Sequence, residues 1–130
     1  MYLLDTDILI DLCRDRFRLQ DRVAAAGIKN CMISEISLAE FYVGVNKSKN
    51  PRLEKEAVFI AETFAVIPIS GALKTYAQLR AQLEQKGTRL DTMDLFIAAT
   101  AIDNGYTLVS HNTRHFSRIP GLQLEDWLEE

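Results

Sequence analysis

Short apolar runs alternate with longer amphipathic stretches along this chain. Five runs predict β-strands, at residues 2–5, 31–34, 65–69, 106–110 and 122–125. Six stretches predict helices, at residues 6–14, 19–26, 34–45, 50–64, 70–86 and 91–105. Strands that alternate with helices favour right-handed crossovers between parallel strands. The pattern therefore predicts an α/β fold, a three-layer α/β/α sandwich with a central twisted parallel sheet, formed as one domain over residues 1–130.

Capping and breaking residues place the ends of these elements. Helix caps are predicted at Thr6 or Asp7, Ser34 or Ser37, Asn50, Ser70 and Asp91. Gly27 is expected to end the second helix, and Pro68 favours an edge position for the third strand. The helix at 91–105 is apolar nearly all round after its acidic first turn, so we expect it to pack flat against the sheet.

Composition and charge narrow the class of protein. The chain has 130 residues, 48% of them hydrophobic and 25% charged, which is typical of a soluble globular domain. It lacks a membrane-spanning apolar segment and a signal-peptide pattern, so a cytoplasmic location is expected. A net charge of -3 argues against nucleic-acid binding through bulk charge alone. Cys13 and Cys31 are far apart in sequence and are expected to be reduced thiols.

Two acids interrupt otherwise apolar segments. Asp5 ends the first strand, and sites in parallel sheets form beyond the carboxyl ends of the strands. A helix cap explains Asp5 equally well. Glu40 falls on or beside the apolar stripe expected from Ile36 and Val43, where a buried ion pair with an arginine is the alternative interpretation. Both acids are candidate site residues.

A third acid lies in the first turn of the 91–105 helix. Asp91 is the better cap there, which leaves Asp94 for another role at a position that the helix dipole favours for a carboxylate. Asp5, Glu40 and Asp94 would repel one another if they met without a cation. Oxygen ligands without cysteines or a histidine pair suit Mg²⁺ or Mn²⁺, ions typical of phosphoryl chemistry. The sequence therefore predicts a metal site made by these three acids.

Three segments, in this order, resemble the successive motifs of PIN-domain ribonucleases: "LLDTDILI", "ISEISLAEFYVG" and "DLFIAATAIDNGYTLVSHNTRHF". The C-terminal stretch "LVSHNTRHFSRIPGLQLEDW" is similar to the ending of the VapC toxins of bacterial toxin–antitoxin modules. The resemblance extends from Tyr2 to Trp127. It implies the PIN fold and a Mg²⁺- or Mn²⁺-dependent endoribonuclease activity, with hydrolysis of an RNA phosphodiester as the reaction.

The resemblance also assigns roles to individual residues. It makes Asp5, Glu40 and Asp94 the first three family acids, which act as catalytic residues and metal ligands. Asn112 stands where many PIN domains have a fourth acid, and we interpret it as a catalytic position. An amide there argues against a second bound metal ion more than it argues against nuclease activity. Ser110 offers the hydroxyl that a threonine supplies in the usual family pattern.

Other residues near these motifs have two interpretations each. Asp7 is expected to support Asp5 by hydrogen bonding or to cap the first helix, and Thr6 is either a cap or a site hydroxyl. His111 and His115 are expected at exposed loop positions near RNA phosphates. Trp127 is expected to be a packing anchor.

The resemblance further implies a structured RNA substrate, most often tRNA, a homodimer, and a cognate VapB antitoxin that blocks the site with a basic side chain. The basic residues between Lys47 and Lys55 and between Arg114 and Arg118 are candidate phosphate contacts. An apolar groove that includes Leu12, Phe17 and Leu53 is a candidate antitoxin site, although packing in the core explains the same residues.

Two other functions fit part of the pattern. A Mg²⁺-dependent aspartyl phosphatase of the haloacid-dehalogenase kind starts with the spacing of Asp5 and Asp7, but apolar residues 8–10 follow where a small residue is expected. A phospho-receiver domain requires a lysine where Ser110 stands. A catalytically impaired PIN-like module that binds RNA or protein is favoured by Asn112 alone.

Overall fold

The structure, a computed structural model, describes residues 1–128. Five parallel strands form one sheet in the order β3-β2-β1-β4-β5. Their bounds are β1 Tyr2–Leu4, β2 Cys31–Ser34, β3 Ala65–Ile67, β4 Thr107–Val109 and β5 Gln123–Glu125. All five predicted strands are confirmed, and β3 lies at an edge of the sheet, as Pro68 indicated. β1 is the central strand, so the residue that follows it lies between the ends of β2 and β4.

Within residues 1–128, seven α-helices cover the sheet. Their bounds are α1 Thr6–Cys13, α2 Leu19–Ala26, α3 Glu35–Lys47, α4 Pro51–Thr63, α5 Leu73–Gln85, α6 Thr92–Asn104 and α7 Thr113–Phe116. Short 3-10 turns cover Ile28–Asn30 and Ser70–Ala72. None of the helices within residues 1–128 is long and apolar enough to cross a membrane.

The two faces of the sheet carry separate hydrophobic cores. Leu4 packs with residues of α1, α2 and α4, whereas its neighbour Leu3 packs with residues of α5 and α6. This alternation follows from the pleat of the strand, which turns successive side chains to opposite faces. Trp127 is buried in the first core, and its ring centroid lies 5.2 Å from that of Tyr2 in an edge-to-face arrangement, which confirms the predicted packing anchor. The three-layer α/β/α sandwich is therefore confirmed.

Several helix ends match the prediction and two do not. The side chains of Ser34, Asn50 and Asp91 accept backbone hydrogen bonds as the caps of α3, α4 and α6. The first helix is capped by Asp5, as one of the two interpretations of that residue expected, and not by Thr6 or Asp7. Ser70 starts a 3-10 turn instead of capping α5, because one extra turn separates β3 from the helix. The helix α7 was not predicted, since a single turn is too short to show helical periodicity.

The buried side of α3 differs from the expected apolar stripe. Val43 and Glu40 are exposed, while Ser37 and Phe41 are buried one turn apart. The prediction assigned the inward face to apolar residues and passed over Ser37, a small hydroxyl residue that is buried because it has a hydrogen-bonding partner in α1. Glu40 therefore lies at the rim of the structure and not in its interior.

Candidate active site

Asp5 lies at the carboxyl end of the central strand and is only 4% exposed. Its Oδ1 accepts a hydrogen bond from the backbone N–H of Thr6 at 2.9 Å, and its Oδ2 accepts one from the hydroxyl of Ser110 at 2.8 Å. The backbone N–H of Asp5 donates to the carbonyl of Val109 at 2.9 Å, which extends the pairing of β1 with β4. Asp5 is thus both the helix cap and a buried acid that β4 fixes in place.

A chain of hydroxyl groups joins α1 to α3. The Oγ1 of Thr6 lies 2.9 Å from the Oγ of Ser37 and 2.8 Å from the Oε1 of Glu40. A hydroxyl holds one proton and an ionised carboxylate only accepts, so Thr6 donates to Glu40 and accepts from Ser37. These contacts fix the Glu40 carboxyl group beside the end of β1 even though the residue sits at an exposed helix position. Ser37 was missed as a site residue because a serine inside a helix has no distinctive sequence pattern.

The start of α6 brings a third acid to the same end of the sheet. The Oδ2 of Asp91 accepts hydrogen bonds from the backbone N–H groups of Met93 and Asp94 at 3.1 and 3.3 Å. Asp91 is therefore the cap, as predicted, and the half-buried carboxyl group of Asp94 is not required for that purpose.

The charges of these acids act on one another. Burial raises the pKa of Asp5 to about 7, with smaller increases from the charges of Asp7 and Asp94 and opposing hydrogen bonds from Ser110 and Thr6. Asp7 therefore acts on Asp5 through its charge.

The pKa values of the other two acids show the same coupling. Burial raises the pKa of Asp94 to about 6, with further increases from Asp91, Glu40 and Asp7, while His115 lowers it. Partial burial of the Glu40 carboxyl group raises its pKa, and the negative charges of Asp7 and Asp91 add to this increase. The hydrogen bond from Thr6 has the opposite effect and lowers the pKa. Residues from α1, α3 and α6 are thus gathered in one acidic cluster, which a cation would stabilise.

The donor chemistry of this cluster fits a hard divalent ion. Its ligands are carboxylate and hydroxyl oxygens, which suit Mg²⁺ or Mn²⁺. Within residues 1–128, no group of three or more His, Cys, Asp or Glu side chains is arranged so that it could hold a metal ion. Mg²⁺ does not require three protein ligands, because it usually keeps several waters and binds through one or two carboxylates together with substrate phosphate oxygens.

The segment after β4 supports the cluster. The fully buried Ser110 hydroxyl donates to Asp5 and accepts from the backbone N–H of Asn112 at 2.9 Å. The half-buried Asn112 precedes α7, and its side chain makes no capping hydrogen bond to that helix. His111 and His115 are exposed, as expected, and the Nδ1 of His111 lies 3.0 Å from the Oδ2 of Asp126.

An apolar groove begins at the acidic cluster, between α1 and α4. One cavity of about 310 Å³ is lined by Leu53 together with Thr6, Asp7 and Glu40. A second cavity, of about 290 Å³, is lined by Leu12. Phe17, in the α1–α2 turn, is exposed but is absent from the lining of both cavities. Leu12 and Leu53 therefore line neighbouring cavities, whereas Phe17 lies outside them, and Leu12 is also buried in the first core, as the alternative interpretation expected.

Carboxylates beyond the carboxyl ends of a parallel α/β sheet form a kind of site that metal-dependent hydrolases use. The family model described as the PIN domain matches residues 2–122. The chain belongs to the PIN-domain family and, within it, to the VapC ribonucleases, a class of nuclease toxins.

Individual relatives agree with this assignment. Ribonuclease VapC2 of Rickettsia felis is 39% identical over 97 residues, which cover 73% of this chain and 72% of the relative. The tRNA(fMet)-specific endonuclease VapC of Salmonella typhimurium is 33% identical and 97% of each chain is covered. The crystal structure of VapBC2 from Rickettsia felis, bound to a DNA fragment from its promoter, contains a chain that matches with a TM-score of 0.89 and 34% identity, over 97% of this chain and 98% of that one.

Proposed function

We propose that this chain is a Mg²⁺- or Mn²⁺-dependent endoribonuclease toxin that cleaves structured RNA, with tRNA as the leading substrate and a VapB-type antitoxin as its inhibitor. The observation that carries the proposal is that three carboxylates lie at the same end of the sheet: Asp5 at the end of β1, Glu40 bound to the Thr6 hydroxyl, and Asp94 in the first turn of α6. Burial raises the pKa of each of them. The relative named as a tRNA(fMet)-specific endonuclease supports tRNA as the substrate. We further propose that the enzyme acts in the cytoplasm, where these RNAs are found.

The chain's own groups prepare the site for hydrolysis. The bonds from Ser110 and from the Thr6 backbone hold Asp5 in a single orientation, and the Thr6 hydroxyl does the same for Glu40. The charge of His115 favours the ionised form of Asp94. Asp5, Glu40 and Asp94 would hold Mg²⁺ or Mn²⁺, which would supply positive charge for the phosphoryl oxygens and for a water nucleophile. No residue is required as a covalent nucleophile.

Cleavage of purified tRNA and of total bacterial RNA with Mg²⁺ tests this proposal. The wild-type protein is expected to cleave RNA, and EDTA is expected to stop cleavage. Asp5→Asn and Asp94→Asn keep the side-chain shape while they remove the charge, so each should lose activity. Equal cleavage by all three proteins, or cleavage that is insensitive to EDTA, would contradict the proposed site.

RNA contacts are proposed for the basic residues near the acids. Arg114 and His115 lie on α7, which starts directly after Asn112, and are therefore better placed than the group between Lys47 and Lys55. Replacement of Arg114 with Gln should weaken RNA binding and reduce the slope of log K against log salt by about 1. An unchanged slope would show that Arg114 does not contact an RNA phosphate.

A homodimer is also part of the proposal. Large apolar side chains stay exposed on α3, α5 and α6, namely Tyr42, Val43, Leu73 and Met93. Exposed apolar side chains on neighbouring helices are typical of a protein interface. Sedimentation equilibrium is expected to give twice the mass of one chain, and Val43→Glu should shift the protein towards the mass of a monomer.

A further inference from the structure

The structure contains a second buried carboxylate, outside the acidic cluster, that the proposed reaction does not use. Glu56 on α4 is 8% exposed. Its Oε1 lies 3.3 Å from the Nε of Arg52, one turn earlier on the same helix. Its Oε2 is buried and has no hydrogen-bonding partner within residues 1–128. Burial of such an oxygen destabilises the folded state, because its hydrogen bonds to water are lost and no hydrogen bond from the protein replaces them.

Glu56 lies at the junction of the two cavities in the groove between α1 and α4. It is the residue that lines both, the cavity of about 310 Å³ next to the acidic cluster and the cavity of about 290 Å³ beyond it. Apolar side chains surround it on either side, with Ile10 and Leu53 in the first cavity and Leu12 and Phe59 in the second. The carboxylate therefore interrupts an apolar surface midway along its length.

The charges in this groove indicate what kind of molecule it binds. The first cavity is lined by three acids, Asp7, Glu40 and Glu56, against the single basic residue Arg14. At this end of the groove the excess of negative charge repels the phosphate backbone of RNA. The second cavity carries positive charge instead, because Arg52 and Lys55 line it beside Glu56. A protein segment with apolar side chains and a basic side chain that enters the first cavity matches the apolar walls and the negative charge there.

We propose that Glu56 is the charge anchor of the antitoxin segment that binds this groove, through an ion pair between its carboxylate and a lysine or arginine of the antitoxin. The inference rests on the antitoxin part of the proposed function. Apolar side chains of the segment fill the cavities on both sides of the anchor, and the end near Thr6 leads directly to the acidic cluster. The Oε2 of Glu56 then receives its missing hydrogen bond from the partner, and the desolvated pair fixes the register of the segment in the groove.

The test is the affinity of the purified toxin for the antitoxin encoded beside its gene. Glu56→Gln keeps the shape of the side chain and removes its charge, so the cation of the antitoxin is left buried without a counter-charge. The dissociation constant is expected to rise by roughly 30-fold or more. Glu62→Gln, an exposed position on the same helix, is the matched control for loss of a negative charge and should change the constant by less than about fivefold.

A second measurement identifies the partner residue. Each lysine and arginine of the antitoxin's toxin-binding segment is replaced with Gln in turn and measured against wild-type toxin and Glu56→Gln. One of these positions should lose its effect when Glu56 is already replaced, which is the signature of a direct pair. Thermal unfolding of the free Glu56→Gln toxin, at or above the wild-type temperature, excludes misfolding as the cause of weaker binding.

A third measurement locates the antitoxin on the toxin. Cys13 lines the second cavity, and burial and the charge of Glu56 raise its pKa to about 11, so its alkylation is followed at alkaline pH. Bound antitoxin should slow alkylation of Cys13. Undiminished alkylation in the complex overturns the groove as the binding place.

The outcomes separate this inference from the function on which it rests. If wild-type toxin binds the antitoxin and Glu56→Gln binds equally well, or if no basic residue of the antitoxin is coupled to Glu56, the charge anchor is wrong. If wild-type toxin does not bind the antitoxin at all, the proposed partner itself is wrong. RNA cleavage by the free toxin is measured separately and bears only on the active site.

Discussion

Asp5 and Glu56 are both buried carboxylates, but they differ in their hydrogen-bond donors and in the charges around them. Both oxygens of Asp5 accept hydrogen bonds from within the chain, but the surrounding charges are those of other acids. Glu56 has a positive neighbour in Arg52, but one of its oxygens has no donor within residues 1–128. Asp5 therefore lacks positive charge, whereas Glu56 lacks a hydrogen-bond donor.

This difference indicates which partner completes each position. A cluster of hydrogen-bonded acids is stabilised by a compact cation with water ligands, which suits the chemistry of phosphodiester cleavage. A single carboxylate in an apolar groove is stabilised by a basic side chain that brings both charge and donors. Glu56 lines the same cavity as Thr6, Asp7 and Glu40, so a molecule that binds along the groove reaches the edge of the acidic cluster.

The largest effect is expected from Asp5→Asn. Because a supporting residue beside a metal ligand usually contributes about 10- to 100-fold, loss of a ligand should reduce RNA cleavage by more than about 100-fold. The same variant should unfold at a higher temperature in metal-free buffer, because it removes a buried charge that opposes folding. Cleavage rates and thermal unfolding temperatures, measured on the same preparation, test the expected loss of activity and the expected gain in stability. A variant that is less stable and inactive would indicate only a folding defect.

The second prediction concerns pH. The pKa of Asp5, about 7, and that of Asp94, about 6, both lie above the ordinary value of 3.8, so the folded state holds these protons more tightly than the unfolded chain does. Stability of the metal-free protein should therefore be greatest below about pH 4 as far as these groups are concerned, and fall as pH rises towards about 7. Denaturant unfolding across this range gives the slope.

Mg²⁺ provides the control for that experiment. The ion competes with protons for the same carboxylates, so it should restore stability above about pH 7 and have little effect at low pH. Asp5→Asn should flatten the profile. A metal-free profile that rises with pH between about 4 and 7 would contradict the coupling among these acids.

The strand pattern and the spacing of the acids were sufficient to predict much of this site from sequence. Asp5 was expected after a buried strand, and Asp94 was expected in a helix turn that Asp91 already caps; the structure has both positions as predicted. Both predictions depend on local geometry, which the identities of nearby residues determine.

Glu40 shows where such reasoning fails. The helical pattern predicts Glu40 on or beside the apolar stripe, yet the residue lies at an exposed position and its carboxyl group is bound by the Thr6 hydroxyl. The unpaired oxygen of Glu56 gives no sequence signal either, because a glutamate on an amphipathic helix is ordinarily a solvated residue. Contacts between separate helices determine the surroundings of both glutamates, and these contacts cannot be predicted from the periodicity of a single helix.

The third prediction concerns the hydroxyl that supports Asp5. Ser110→Ala removes the donor to the Asp5 Oδ2 and the acceptor of the Asn112 N–H, while it leaves the acids in place. RNA cleavage should fall by about 10- to 100-fold, less than in Asp5→Asn. Ser110→Thr keeps the hydroxyl and should retain most of the activity. Equal losses in both variants would assign the effect to packing and not to the hydrogen bond.

The smallest effect is expected from Asn112→Asp, which adds a carboxylate beside the cluster. The new charge should raise the pKa values of the neighbouring acids further and lower metal-free stability near neutral pH by up to about 1 kcal/mol, since Asn112 is half-buried and partly screened by solvent. Because another oxygen ligand becomes available, calorimetric titration should show tighter Mg²⁺ binding than in the wild type. If affinity and stability are both unchanged, the side chain at position 112 points away from the cluster, and the amide has no bearing on how many ions the site holds.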